Sequence, residues 1–455
     1  MRILIVGAGI VGYNLAQELS QEGHDIAIVD QDPERVKRIT ETLDVMAVEG
    51  NACLPTVLIK AGIKSSEMLI AVTEKDEINF LSCFLASRFN VPNRFARLRN
   101  MEFTDKDSVF SPEELFIDQA INPGQIIVET ILKILETPGV VSVAEFADGD
   151  VLLREFDVPE EAPISGKTIQ EIRSITQMDS FLIVAIVRDG ELVIPKDQDI
   201  LQAGDRFYTL IDKEFLPFLL PMLNRTLDQV EKVIIYGATS TSTQLANALE
   251  ESMRDVCIIE PSREKANRAA GQLKRAVVMH GSGTDMDLFN DINMKDADFF
   301  LALSHDDENN ILSALLAKKH GAKRALVITH DPEYLPILDS IGMDITINPR
   351  LITVSAILKH LRKGRVMSVF KLIEDAEVME IEVEEDSFIA SKQMGKINFP
   401  KGAIIGALLR KGEMIIPNDE VTIEAGDSVI VVALPGTIEK IEKLFGRKRS
   451  FLPFR

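Results

Sequence analysis

Gly7, Gly9 and Gly12 follow an apolar run, Ile3-Leu4-Ile5-Val6, and a carboxylate, Asp30, closes the next one. Residues of these types at this spacing could hold a dinucleotide. Gly7 permits a sharp turn out of a strand, Gly9 lets the backbone approach a pyrophosphate, and Gly12 lets a helix lie close on the sheet. The phosphates would meet free N–H groups at the positive end of that helix. Asp30, at a strand tip, can accept hydrogen bonds from both ribose hydroxyls and repels a 2′-phosphate, which favours NAD over NADP. Thr73 and Glu74, at the end of a fourth strand, fall where the ligand crevice of such sheets opens. Asn51 and Ala52, after the third strand, fall beside the adenine. Arg97, on the fifth, could neutralise phosphate or bridge domains, although a surface ion pair suits it nearly as well.

The pattern then recurs. Val233-Ile234-Ile235-Tyr236 leads into Gly237, and Glu260 follows at the same distance as Asp30 from Gly7. Ala71-Val72-Thr73 with Asp76, Glu77 and Asn79 returns as Ala302-Leu303-Ser304 with Asp307, Glu308 and Asn310. Ile121-Asn122-Pro123 returns as Ile347-Asn348-Pro349. A fixed period of this length means that one module was duplicated. The copies differ where chemistry would occur. Thr239 and Ser242 stand where Gly9 and Gly12 stood, and the loop reads Gly237-Ala238-Thr239-Ser240-Thr241. His305 replaces Glu74, and Ile328 falls where Arg97 was. Hydroxyls could still donate to phosphate, yet the added side chains narrow the approach. An occupied second site and a decayed one that only packs are both open.

These residues need a scaffold of alternating strands and helices. Apolar strands are expected near 2–6, 26–29, 45–48, 68–72 and 95–98, in a parallel sheet covered on both faces. A helix is expected from Gly124 to Leu135, ended by Pro138-Gly139. From residue 140 the character changes to short strands with turns at Asp148-Gly149-Asp150, Arg188-Asp189-Gly190 and Ala203-Gly204-Asp205. Pro217, Pro221 and the polar stretch to Glu231 read as a linker. Ile415-Ile416-Pro417 through Ala425-Gly426-Asp427 matches Val193-Ile194-Pro195 through Ala203-Gly204-Asp205. The expected layout is therefore α/β: two Rossmann-like doubly wound parallel-sheet domains, 1–122 and 231–350, each followed by a small α+β domain, 140–222 and 366–446.

Composition excludes several classes. A chain of 455 residues with 46% hydrophobic and 27% charged residues is an ordinary globular chain of several domains. No apolar stretch approaches the ~20 residues of a spanning helix, and Met1-Arg2 runs straight into a strand, so no secretory leader is expected. Cys53, Cys83 and Cys257 are too scattered for disulfides or zinc and read as small buried hydrophobes. A net charge of −21 argues against nucleic acid and against an anionic bilayer. The basic tail, Arg447-Lys448-Arg449 with Arg455, reads as a solvated terminus.

Nothing here reads as a hydride-transfer enzyme, which needs an acid or base beside a substrate pocket. No tyrosine has a lysine four positions on. His24 is the sole histidine of the first copy, and His280, His305, His320, His330 and His360 lie beside the poorer site. No metal-ligand set is expected.

With these residues assembled, the chain resembles the tandem RCK (regulator of potassium conductance) family of cytoplasmic NAD-binding subunits from bacterial and archaeal Trk potassium uptake systems. The resemblance rests on Gly7-Ala8-Gly9-Ile10-Val11-Gly12, Asp30, Thr73, the Asn122-Pro123 junction and the repeats ending in Gly204-Asp205 and Gly426-Asp427. It spans essentially the whole chain. It implies RCK-N and RCK-C domains in alternation, and a peripheral regulator that forms a homo-oligomeric ring, a tetramer, beneath an integral membrane potassium-conducting subunit of Trk/Ktr type. It implies NAD(H), with ATP or ADP as further ligands, and no catalysis. Gly7, Ala8, Gly9, Ile10, Val11, Asp30, Thr73, Glu74 and Leu98 would contact the first nucleotide. Gly237, Ala238, Thr239, Ser240, Thr241 and Glu260 would contact the second, with Ser304 and His305 beside it. An oxidoreductase, or a nucleotide sensor for another ion transporter, are the rival readings.

Overall fold

The computed structural model describes residues 1–446 except 22, 101–102, 104–110, 113, 137–139, 147–149, 177–180, 226–229, 253–254, 362–365, 373–375 and 435. The first lobe alternates β1 (Arg2–Val6), α1 (Ile10–Gln21), β2 (Asp25–Asp30), α2 (Pro33–Thr42), β3 (Met46–Glu49), α3 (Pro55–Lys60), β4 (Met68–Ala71), α4 (Asp76–Arg88), β5 (Asn93–Arg97), β6 (Gln119–Ile121) and α5 (Pro123–Glu136). The strands run parallel in the order β3-β2-β1-β4-β5-β6. This is the doubly wound order, with its switch point between β1 and β4. Ile3, Leu4, Ile5 and Val6 are all buried, as a central parallel strand covered on both faces requires. The sixth strand was not anticipated. It has only three residues, Gln119-Ala120-Ile121, too few to show a period.

The next lobe contains β7 (Val140–Phe146), β8 (Val151–Asp157), α6 (Ile169–Thr176), β9 (Phe181–Arg188), β10 (Glu191–Val193), β11 (Arg206–Asp212) and the short α7 (Leu216–Leu219). Its sheet is antiparallel, ordered β10-β9-β11-β8-β7. The β9–β10 hairpin turns on Asp189 and Gly190, both with positive φ (54° and 85°), as a two-residue primed turn demands. The first part of the expected linker, from Pro217 to Leu223, is instead packed helix. Leu216, Leu219, Leu220 and Leu223 are buried, and Pro217 and Pro221 sit in first turns where no N–H is needed. Pro138-Gly139, Asp148-Gly149 and the basic tail from Arg447 lie outside the described residues.

The second copies follow as β12 (Lys232–Tyr236), α8 (Ser240–Glu251), β13 (Asp255–Glu260), α9 (Arg263–Gln272), β14 (Val277–His280), α10 (Met286–Asp291), β15 (Phe299–Ala302), α11 (Asp307–Lys319), β16 (Arg324–Ile328), α12 (Leu335–Ser340), β17 (Ile345–Ile347) and α13 (Pro349–Leu361). Their parallel order, β14-β13-β12-β15-β16-β17, reproduces the first sheet. The last lobe holds β18 (Val366–Lys371), β19 (Glu377–Glu382), β20 (Lys392–Gln393), β21 (Ala403–Arg410), β22 (Glu413–Ile415), β23 (Thr422–Ile423), β24 (Ser428–Ala433) and α14 (Ile438–Phe445). Its main sheet is ordered β18-β19-β24-β21-β22.

Chain order does not give the packing. Residues Met1–Glu129 and Glu231–Leu358 form one compact unit, and Thr130–Val230 with Lys359–Arg455 form the other, so like pairs with like. In the antiparallel unit, Val184 and Leu210 share one buried cluster with Ala407 and Ile430. Gly406 makes that possible: a Cβ there would strike Leu210 Cδ1 and lie 3.0 Å from Val184 Cγ1. The same bidentate ion pair braces each copy, Arg188 to Asp205 and Arg410 to Asp427. Among the described residues no helix is long and apolar enough to cross a membrane. All three cysteines are free; Cys83 and Cys257 are buried as expected, whereas Cys53 is only half-buried.

Candidate nucleotide site

In the parallel-sheet unit a cavity of about 600 Å³ opens where the strands of the first lobe end, and residues of both lobes line it. Gly7 leaves β1 with φ of +104°, and a Cβ there would crowd the Thr73 backbone N at 3.1 Å. At Gly12 a Cβ would fall on the Gly7 carbonyl oxygen, so only glycine allows α1 to start this close to β1. Gly9 differs: a Cβ there would meet only the Arg35 guanidinium, at an ordinary contact distance of 3.7 Å. Two glycines therefore serve packing, and the third keeps the approach to the helix start clear.

Asp30, with 8% of its surface exposed, is tied into this loop. Its carboxylate accepts from the Ala8 N–H at 2.6 Å and from the Asp32 N–H at 2.9 Å, and Arg35 approaches to 3.8 Å. Asp32 in turn caps α2 by accepting from the Glu34 N–H, with Pro33 at the first helical position. Each carboxylate oxygen retains acceptor capacity for a ribose hydroxyl.

The opposite wall is set by Asn79, which is fully buried. It accepts from the Thr73 N–H and hydroxyl, and donates to the Thr73 and Arg97 carbonyls at 3.1 and 2.7 Å. One amide thus fixes the ends of β4 and β5 together. Arg97 is 9% exposed, and its buried Nε has no hydrogen-bond partner. Burial, then the neighbouring Arg99 charge, pulls the guanidinium down to about 10. A buried cation with an unsatisfied donor, lining a cavity, fits an anionic ligand.

The second lobe rebuilds this frame with different contents. Glu260 accepts from the Ala238 and Ser262 N–H groups, as Asp30 does from Ala8 and Asp32. Asn310 clasps Ser304 and Ile328 as Asn79 clasps Thr73 and Arg97. Thr239, however, caps α8 itself: its hydroxyl accepts from the Ser242 N–H and lies 2.8 Å from the Ser242 hydroxyl. A helix start whose donor is already taken has less to offer a phosphate. Asp307 accepts from the His330 and Asp331 N–H groups and from His330 Nδ1 at 2.9 Å. Burial pushes its carboxyl up, but these bonds outweigh that and hold it below the usual range.

Of the residues expected from sequence, Gly7, Ala8, Gly9, Ile10, Val11, Asp30, Asn51, Ala52, Thr73, Glu74 and Arg97 line the cavity. Thr239, Ser240, Thr241 and His305 line it from the second lobe. Gly237, Ala238, Glu260 and Ser304 do not, and the Leu98 side chain is withdrawn into the core of the first sheet. Sequence reasoning missed Arg35, Arg38, Arg99 and Arg350, which also line it, and it placed His330, another lining residue, beside the poorer site without giving it a role. Arg99 was findable, two residues past Arg97 and so on the same side of an extended chain. Arg350, just beyond the second Asn-Pro junction, carried no signal until the two lobes were seen to pair. Among the described residues no group of His, Cys, Asp and Glu could hold a metal ion.

The TrkA-N domain family matches residues 3–123 and 233–349, and the TrkA-C domain family matches 153–214 and 378–446. A Trk system potassium uptake protein TrkA from Azorhizobium caulinodans is 34% identical over 451 residues, covering 98% of both chains. A protein of the same description from Halomonas elongata is 33% identical over 451 residues with the same coverage. A homologue from Archaeoglobus fulgidus is 33% identical over 98% of this chain and 100% of its own. Among solved structures, the GsuK RCK domain superposes with a TM-score of 0.60 at 18% identity, over 98% of this chain and 94% of that one. The GsuK channel bound to NAD gives 0.61 at 18% identity, over 98% of this chain and 78% of that one.

Proposed function

The chain belongs to the TrkA family, and from that premise we propose that it is the peripheral, nucleotide-binding regulatory subunit of a potassium uptake system. Its ligand in the first crevice is NAD(H), with ATP or ADP as alternatives, and it acts on an integral membrane potassium-conducting subunit of Trk or Ktr type. It works at the cytoplasmic face as a homotetrameric ring. The four-domain division at 1–122, 140–222, 231–350 and 366–446 is part of the same proposal.

One observation carries this reading: both lobes line a single cavity, with Gly9 and Asp30 on one wall and Arg97 on another. A ligand held there touches two lobes whose packing it can change. Ala8 through Val11 would offer backbone N–H groups to a diphosphate, Asp30 would take a ribose, and Arg97 would neutralise charge. The bound nucleotide supplies binding energy and undergoes no reaction. Gating energy arises from its different affinity for two states of the ring, ~1–3 kcal/mol per coupled site. Four sites acting together could supply the ~5.5 kcal/mol that turns a closed majority into an open one.

The test is potassium flux in vesicles that contain the membrane subunit, with and without NAD, NADH, ATP and ADP. Flux that ignores every nucleotide ends the proposal. Turnover of NADH with carbonyl compounds would move the protein to the oxidoreductases.

A further inference from the structure

Aligning the two lobes by their hydrogen bonds sets Arg99 opposite His330. The Arg99 N–H and the next one donate to Asp76, which opens α4, and the His330 N–H and the next one donate to Asp307, which opens α11. The same frame sets Glu74 opposite His305, each following the residue clasped by Asn79 or Asn310. The first crevice thus carries fixed charges, Arg97 and Arg99 with Glu74. In the second, the corresponding residues are Ile328, His330 and His305, so at these three positions cationic charge exists only when imidazoles hold protons.

The two imidazoles are neighbours, with ring centroids 5.6 Å apart, and both line the cavity. His330 Nδ1 is engaged by Asp307 at 2.9 Å, which leaves Nε2 as its free ring nitrogen. Neutral, that nitrogen presents a lone pair to an anion. Protonated, it presents an N–H. We propose that His305 and His330 form a proton-dependent phosphate subsite, so that the second crevice takes the diphosphate of an adenine nucleotide together with a proton.

The inference rests on the proposed nucleotide sites and concerns what the second lobe adds. The charged groups around the pair come from several elements. α11 brings Asp307, and α9 brings Lys265. Arg99 follows β5, and Arg97 and Arg350 line the same cavity. Desolvation, then His330, Lys265 and Arg99, hold the His305 imidazole below its usual range, against an opposing pull from Asp307. An imidazole held low when free and raised by an arriving phosphate takes up a proton on binding. Its contribution to affinity is full below the free value and is lost as pH rises through the bound value.

The probe is NAD, whose diphosphate does not titrate near neutrality. Calorimetry in two buffers of different ionisation heat reads proton uptake directly. In the Asp30→Ala chain, where binding in the first crevice is weakened roughly 30-fold, NAD affinity should rise several-fold between pH 7.5 and pH 6.0, with uptake approaching one proton. The pair His305→Gln and His330→Asn, the latter keeping a donor for Asp307, should abolish the uptake. Should that double variant fail to fold, proton uptake by the Asp30→Ala chain decides alone. Binding there without uptake, or no binding at any pH, overturns the inference. The nucleotide reading falls only if the unmodified chain binds no NAD.

Discussion

The Asp30 carboxylate and the Ala8 backbone N–H are joined by a 2.6 Å hydrogen bond, so the residue expected to hold a ribose also fixes the phosphate loop. Replacing Asp30 by alanine should weaken NAD binding by about 2 kcal/mol, roughly 30-fold, as expected when a charged acceptor is lost. Calorimetry measures this. Asparagine should fall between, since it keeps one acceptor for the loop. Unchanged affinity in the alanine variant would show that Asp30 serves the loop alone.

Gly9 and Gly12 should separate binding from folding. Gly9→Ala places a methyl that meets only Arg35, without a clash, so the melting temperature should hold while NAD affinity falls at least several-fold. Gly12→Ala drives a methyl onto the Gly7 carbonyl and should cost about 1–3 kcal/mol of stability or more. Thermal unfolding beside calorimetry tells the two outcomes apart. Equal behaviour of the two variants would contradict the division of labour.

This contrast also shows what the sequence could disclose. The strand–glycine–helix–acid pattern located β1, α1 and β2 with their loop, because apolar runs, left-handed turns and helix starts depend on local residue types. Arg350 was not legible as a cavity residue, since its place depends on one lobe facing another across more than 200 residues of chain. The helix around Pro217 was misread because two prolines signal a break, whereas in a first turn they are compatible with helix. Leu98 failed for the reverse reason. Its neighbour Arg97 reaches the cavity, and alternation along an extended chain turns Leu98 into the core.

Asp307 should show itself on the acid limb of the stability curve. Its carboxyl is held below the usual range, so its contribution is complete above the unfolded carboxylate value of ~3.9 and disappears as pH falls through the folded value. Asp307→Asn should lower the melting temperature at pH 7, by the equivalent of about 1–3 kcal/mol for the bonds it makes to His330 and Asp331. Between pH 5 and pH 2 the variant should lose stability less steeply than the parent. Parallel curves would mean that the carboxylate is not the acceptor.

Gly406→Leu should separate the antiparallel unit from the nucleotide sites. The new side chain would overlap Leu210 and Val184 and lower stability by about 1–3 kcal/mol. NAD affinity should remain within twofold. A large loss of affinity would reveal coupling between that shared core and the crevices.

Because the matching lobes are joined within one polypeptide, their partnership is asymmetric in a way that self-association of identical subunits cannot achieve. A two-fold dimer must repeat each substitution on both sides. Here an arginine can persist on one wall while its counterpart opposite drifts to histidine, and Thr239 can seal one helix start while Gly9 leaves the other bare. Covalent fusion leaves each half free to change without its counterpart changing too.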